Sequence, residues 1–141
     1  MSVAREPLSS PAGDRLTAVD SGLIRLELPA DSCCHAVGRL VVAGYAARLA
    51  LPVEQIEDLQ LAVEALLSRR TARPTVTLEL NESWPGLEAR LGPFVAARAE
   101  RERVQEMLRT LVEDADVQDS GDGEWIVLQV TRSRQTTRGR A

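Results

Sequence analysis

The stretch Glu57–Arg70, which reads EDLQLAVEALLSRR, decides the fold of this 141-residue chain. Its apolar residues recur at spacings of three and four, which predicts the second half of an amphipathic helix. Arg69 and Arg70 close that helix with the charge that its dipole favours there. Pro52 suits its first turn and Pro74 prevents its continuation. The predicted buried stripe consists of Ile56, Leu59, Ala62, Val63, Leu66 and Leu67.

The residues before this helix predict a strand and another helix. Gly22–Leu28 alternates between apolar and charged side chains, which is typical of a half-buried strand. Asp31 or Ser32 then stands where a helix N-cap belongs, and the helix runs to about Leu49. Its predicted stripe consists of Cys33, Val37, Leu40, Val41, Gly44 and Arg48, and it is apolar up to Gly44.

The residues after it predict a hairpin, a third helix and a last strand. Thr75–Leu80 and Leu87–Leu91 alternate, and the six residues between them carry turn chemistry. A helix is predicted from about Ala96 to Asp114, followed by a Ser-Gly-Asp-Gly turn. Glu124–Val130 is almost continuously apolar, which favours a central strand.

The resulting order β-α-α-β-β-α-β predicts an α+β fold. Each of the three helices has one apolar stripe, so a two-layer sandwich with all three helices on one face of a mixed β-sheet satisfies them. We predict one domain over residues 21–131, a disordered N-terminal tail over residues 1–20, and a basic disordered tail over residues 132–141.

Composition excludes several classes of function. All 17 basic residues are Arg, so mechanisms that need a lysine, such as a P-loop or a Schiff base, are excluded. With four aromatic residues and a net charge of −4, the chain is poorly suited to bind nucleic acid specifically. No apolar run is long enough to span a membrane and no signal-peptide core is present, so we expect a cytoplasmic protein.

The segment Asp58–Ala65, DLQLAVEA, resembles the helix before the active site in the histidine-kinase-like (GHKL) ATPase superfamily. More narrowly, it is similar to that of the anti-sigma-factor serine kinases of bacteria. The strand ending in Leu28-Pro29-Ala30 and the segment Leu108–Val117 before a glycine turn are similar to that family too. The resemblance covers residues 22–131.

The resemblance implies a site whose chemistry is degenerate. In the family, a catalytic glutamate precedes a Mg²⁺-binding asparagine by four residues on this helix. Glu64 is thus the candidate catalytic residue, with Ser68 at the asparagine position. With the register shifted by one, Arg69 takes that position, so Ser68 and Arg69 are the candidate cofactor-binding residues. Serine is a poor Mg²⁺ ligand without nearby carboxylates, and arginine cannot be one.

A second family motif, Asp-x-Gly-x-Gly, reads adenine through its aspartate. This chain has Leu91–Phe94 at that place, without an acid, and no glycine-rich lid follows. Asp119–Gly123 matches the motif literally, but it lies after the third helix and is interpreted as a turn.

The segment Cys33-Cys34-His35 lacks the spaced pairs of a zinc motif. We expect no metal there, but two buried thiols with an exposed histidine.

Three functions remain open. The preferred one is a degenerate anti-sigma-factor-like regulatory protein that acts by protein–protein binding in bacterial transcription or stress control. Its partner would be a sigma factor or an anti-sigma antagonist, and it would need no cofactor, membrane or specific nucleic acid. The second is an active serine protein kinase that uses ATP and magnesium in a rearranged site around Glu64 and the Asp119–Gly123 turn. The third is an unrelated small α/β module that forms a homodimer.

Overall fold

The structure, a computed structural model, describes residues 23–133. In this range the chain forms five strands and three α-helices in the order β-α-α-β-β-α-β-β. The strands are β1 (Ile24–Pro29), β2 (Thr75–Ser83), β3 (Gly86–Phe94), β4 (Asp114–Ser120) and β5 (Gly123–Thr131). The helices are α1 (His35–Arg48), α2 (Val53–Leu67) and α3 (Arg101–Arg109). The predicted tail 1–20 lies outside the described residues, as do residues 134–141 of the predicted tail 132–141.

The strands form one open sheet in the order β1-β2-β3-β5-β4, and every neighbouring pair is antiparallel. The prediction of a mixed sheet was therefore wrong. The connection between β1 and β2 contains the helices α1 and α2, and β2 returns antiparallel to β1. The strands β3 and β4 run in the same direction, but β5 lies between them, so they never pair.

One face of the sheet is apolar and carries all three helices. A row of apolar side chains crosses all five strands in register, formed by Leu26, Leu78, Leu91, Ile126 and Val117. The helices pack onto this row with Val42, Tyr45, Leu59, Val63, Leu66 and Leu108. The predicted α+β sandwich with three helices on one face is confirmed. No helix within residues 23–133 has the length and apolar character needed to cross a membrane.

The helix α1 buries a different face from the predicted one. Its buried residues are Gly38, Val42, Tyr45 and Ala46. Leu40 of the predicted stripe is 73% exposed, and a Cβ added at Gly44 would meet no atom within 4 Å. At Gly38, by contrast, an added Cβ would lie 3.0 Å from Leu67 Cδ1 of α2. The close approach of α2 at Gly38 therefore selects which apolar face of α1 is buried.

The second half of the chain differs from the prediction in two places. The β2–β3 connection is only Trp84–Pro85, because Ser83 already pairs with Gly86. The helix α3 is shorter than predicted, with a 3₁₀ turn before it, and residues 114–120 form the additional edge strand β4. This strand is mostly polar and exposed, so its sequence does not show the alternation that predicts a strand.

The exit of the chain from β5 is fixed by one side chain of α2. The Gln55 amide Nε2 donates to the Thr131 carbonyl at 2.7 Å, and its Oε1 accepts from the Ser133 N–H at 2.9 Å. These are the two hydrogen bonds that a neighbouring strand would provide. Residues 132–133, predicted to begin the basic tail, are thus tied to the folded domain.

Candidate functional site

Glu64 lies on the exposed side of α2, close to its C-terminal end. Its carboxylate Oε1 is 3.7 Å from Arg39 Nε on α1, and its side chain is 48% exposed. Ser68, four residues later, donates its hydroxyl to the Glu64 backbone carbonyl at 3.0 Å. The hydroxyl thus satisfies a carbonyl at the helix end. The two side chains do not converge on a common point.

Arg69 turns inward and contacts a buried carboxylate. Its side chain is only 15% exposed, and its Nη2 lies 3.4 Å from Glu124 Oε1. Its guanidinium also lies over the Phe94 ring, 5.3 Å from the ring centroid. Glu124 is the second residue of β5 and is 1% exposed. The structure therefore brings Arg69, just after α2, together with the Glu124 carboxylate, which lies 55 residues later in the sequence.

A second arginine completes this group. Arg101 Nη2, at the start of α3, donates to Glu124 Oε2 at 2.8 Å and to Asp119 Oδ1 at 2.9 Å. We call Arg69, Arg101, Asp119 and Glu124 the ion-pair cluster. Burial alone would raise the pKa of Glu124, but hydrogen bonds from Arg101, the Ala97 backbone and Arg69 outweigh it and hold that pKa below its usual value.

The ion-pair cluster joins the end of α2, the start of α3 and the β4–β5 hairpin. Two arginines balance two carboxylates, so the charge is neutralised within the cluster. Nη1 of Arg69 and Nε of Arg101 are buried and have no hydrogen-bond partner among the described residues. Removing Glu124 would leave both arginines without their shared anion, which is the costly way to disrupt a buried ion pair.

A cavity of about 350 Å³ lies beside the cluster, lined by Arg69, Arg70, Val95, Ala96, Ala97 and Glu100. The Leu91–Phe94 segment, where the resemblance places an adenine-reading aspartate, is the buried end of β3. Within residues 23–133, no three His, Cys, Asp or Glu side chains lie close enough to hold a metal ion. At the two candidate positions for the Mg²⁺ ligand, the Ser68 hydroxyl is bonded to the Glu64 carbonyl, and Arg69 has no acceptor atom in its side chain.

The Asp119–Gly123 segment is the turn between β4 and β5, as predicted. Gly123 has a φ of 140°, a conformation that favours glycine. Asp122 Oδ1 accepts a hydrogen bond from Trp125 Nε1 at 3.0 Å, which lowers the pKa of Asp122. Asp119 is held by Arg101 in the ion-pair cluster. Each carboxylate of the motif has a structural role here.

The segment Cys33-Cys34-His35 differs from the expectation of two buried thiols and an exposed histidine. Cys33 is exposed, and Cys34 and His35 are half-buried. Both cysteines are free. The 3₁₀ turn Ser32–Cys34 holds them at the surface ahead of α1, because the helix buries its first residue only at Gly38.

A surface that the sequence analysis missed surrounds Trp84. This side chain is 79% exposed, and the Arg132 guanidinium lies 6.0 Å from its ring centroid. Arg48 and Glu82 line a cavity of about 300 Å³ beside it. The two-residue turn Trp84–Pro85 holds the Trp84 side chain away from the core. The predicted six-residue loop did not indicate the direction of this side chain.

Comparisons with known proteins were made for sequence and for structure. No protein-family model and no curated protein sequence matches the chain. A crystal structure of the RsbU and RsbW domains of Rv1364c from Mycobacterium tuberculosis matches it with a TM-score of 0.63 and 14% identity. The match covers 81% of this chain and 33% of that one, so this chain spans about a third of its length.

Over most of its length the chain therefore has the fold of part of that structure. This agrees with the fold that the resemblance at Asp58–Ala65 implies. At 14% identity the likeness shows the fold alone.

Proposed function

We propose that this chain is a regulatory protein of the anti-sigma-factor type that acts by binding a partner protein and no longer binds ATP. The observation that carries the proposal is the position of Arg69. This residue stands at or next to the Mg²⁺-binding asparagine position of the family, and here its guanidinium is held by buried Glu124. Arginine has no acceptor atom with which to ligate Mg²⁺, and the Glu124 carboxylate beside it is already engaged by two guanidinium groups.

The alternative of an active kinase has less support from the geometry. Glu64, its candidate base, is an exposed carboxylate paired with Arg39. Asp119, its other acidic group, is paired with Arg101. A general base needs a positioned partner within hydrogen-bond reach of the proton it removes. Neither carboxylate is directed to a common reaction centre.

Isothermal titration with ATP and Mg²⁺ tests the loss of nucleotide binding. We expect no saturable heat up to millimolar ATP for the full chain. Micromolar binding would overturn the loss of the ATP site. Phosphate transfer to the serine of an anti-sigma antagonist, abolished in Glu64→Gln, would establish the kinase alternative instead.

The surface around Trp84 supports binding of a partner protein. Exposed tryptophan and arginine side chains are the residue types that dominate the energy of protein interfaces. Trp84 is among the most exposed large apolar side chains of the described residues, and Arg48 and Arg132 flank it. A protein partner would cover this ring and pair with these charges.

Binding of purified sigma factors and anti-sigma antagonists from the source cell tests this surface. We expect one of them to bind, and Trp84→Ala to weaken that binding about 10-fold or more. Met107→Ala is the matched control, because Met107 is an exposed apolar residue on α3 that does not line the cavity beside Trp84. Equal losses in both variants, or none in Trp84→Ala, would show that the partner binds elsewhere.

A further inference from the structure

The two cysteines before α1 are the only thiols of the sequence. Their Sγ atoms are 3.9 Å apart. Cys33 is exposed and Cys34 is half-buried against the core, so one thiol faces solvent and the other lies beneath it. The short distance between the sulfurs allows one ligand to contact both of them.

The backbone at this pair is held firmly. The Cys33 N–H donates to Asp31 Oδ1 at 3.3 Å, and the Cys34 N–H donates to the Asp31 carbonyl at 2.8 Å. The next N–H, that of His35, donates to the Ser32 carbonyl. These contacts fix the two Cα atoms, so that only rotation about each Cα–Cβ bond changes the distance between the sulfurs.

This geometry disfavours a disulfide between the two cysteines. Adjacent Cα atoms are about 3.8 Å apart, whereas disulfides span about 4.4–6.8 Å between Cα atoms. A bond between the sulfurs would distort the turn that these hydrogen bonds hold. The turn therefore favours two free thiols over a disulfide between them.

A site with only two sulfur ligands also limits the kinds of ion that it can bind. Structural zinc requires four ligands, and no third His, Cys, Asp or Glu joins the pair to form such a group in residues 23–133. Soft, thiophilic ions are satisfied by fewer sulfur ligands. From this geometry we propose that Cys33 and Cys34 form a dithiol site that binds one soft ion, a trivalent arsenical or Cu(I), through both sulfurs.

The chemistry of binding balances without an oxidant. An arsenoxide condenses with the two thiols, forming two As–S bonds, while its oxygen leaves as water with both thiol protons. Cu(I) displaces the two protons to solvent and forms two Cu–S bonds. Neither sulfur changes its oxidation state. The site is independent of the proposed function. It lies before the N-terminal end of α1, whereas Arg48 of the Trp84 surface is the last residue of that helix, and it needs no nucleotide.

Intact-mass measurement of the full chain tests the site with two probes, phenylarsine oxide and a Cu(I)–bicinchoninate complex. We expect one arsenical or one copper per chain, retained against an excess of the monothiol glutathione and released by dithiothreitol. Binding of only one probe supports the site and identifies its ligand. If neither probe is retained, the proposal is overturned.

The variants Cys33→Ser and Cys34→Ser each keep one thiol and serve as matched tests of two-point binding. We expect each to bind about 10²- to 10⁴-fold more weakly than wild type, because the second bond is intramolecular. Ser32→Ala keeps both thiols and should bind as wild type. Cys33 is exposed, so Cys33→Ser should fold normally and decides the test even if Cys34→Ser does not. Equal retention in wild type and Cys33→Ser would overturn the proposal.

Discussion

Helices α1 and α2 pack side by side but face solvent with different chemistry. The helix α2 has apolar residues on its buried face, and its exposed face carries the carboxylates Glu54, Glu57 and Glu64 together with Val53 and Leu61. The helix α1 is apolar on both faces, with Val42 buried and Leu40 exposed. Charge therefore contributes to the orientation of α2, whereas the orientation of α1 depends on contacts with its neighbour.

Two of these contacts are specific. The Gln60 side chain of α2 donates to the Arg39 carbonyl of α1 at 3.1 Å, and Gly38 allows Leu67 to approach. Six substitutions, grouped into four experiments, can break or sharpen the comparison between the two helices.

The largest effect is expected for Leu59→Ala at the centre of the buried face of α2. Leu59 has no solvent exposure, so its truncation should lower the free energy of unfolding by about 3–5 kcal/mol. Leu40→Ala on α1 is the matched control, and it should change this free energy by less than about 0.5 kcal/mol. Urea denaturation measures both. A loss above about 2 kcal/mol at Leu40 would show that its face is covered in solution.

The next effect concerns the ion-pair cluster at the end of α2. Glu124→Gln should lower the free energy of unfolding by about 3 kcal/mol at neutral pH, because it leaves Arg69 and Arg101 without their buried anion. The pKa of Glu124 is lower in the folded chain than in the unfolded one, so its stabilisation is present above the usual carboxyl range.

Acidification separates this effect from a simple packing defect. As the pH falls through the folded pKa of Glu124, the wild type should lose this stabilisation and approach the variant. Urea denaturation at neutral and acidic pH measures the difference. A gap between wild type and Glu124→Gln that is independent of pH would show that the carboxylate charge is not what matters.

A smaller gain is expected where α1 ends. Ala50 has a φ of 61°, and its N–H and that of Leu51 donate to the Ala47 and Ala46 carbonyls. This arrangement usually has glycine at the left-handed position. Ala50→Gly should raise the free energy of unfolding by about 1 kcal/mol. A thermal midpoint below that of wild type would contradict this account.

The smallest effect distinguishes the two glycines of α1. Gly44→Ala should raise the free energy of unfolding by about 0.5–1 kcal/mol, because an exposed helical position gains propensity without a clash. Gly38→Ala gains the same propensity, but its Cβ would press on Leu67 Cδ1 at 3.0 Å. It should therefore be less stable than Gly44→Ala in the same denaturation experiment. Equal gains would show that α2 can move away at no cost.

The same two helices explain how much of the fold the sequence predicts. In α2 the apolar stripe and the carboxylates on the other side predict the same buried face. That prediction was right at Leu59, Val63 and Leu66. In α1 two stripes satisfy the helical period, and Leu40 belongs to the wrong one. The buried face of α1 is selected by the contact of Leu67 with Gly38. This contact joins two helices, so the spacing of apolar residues within α1 cannot predict it.

The candidate site was less predictable for a related reason. Glu64 and Ser68 were named from the resemblance, which uses two residues four apart on one helix. Glu124, by contrast, lies 55 residues from Arg69 and meets it only through the sheet. The one signal in the sequence is a carboxylate at the start of an otherwise apolar strand. A buried charge requires a partner, but the sequence alone does not choose it from 17 arginines.

The edge strand β4 has a consequence for how copies of this chain meet. An open antiparallel sheet leaves hydrogen-bonding groups unpaired at its outer strands, where another chain can extend the ladder. Along β4, Asp114 and Asp119 are paired with Arg109 and Arg101, and Asp116 is exposed. A second strand could pair with β4 only after these charged side chains lost their hydration. The same polar residues that make β4 hard to predict from the sequence therefore oppose edge-to-edge aggregation.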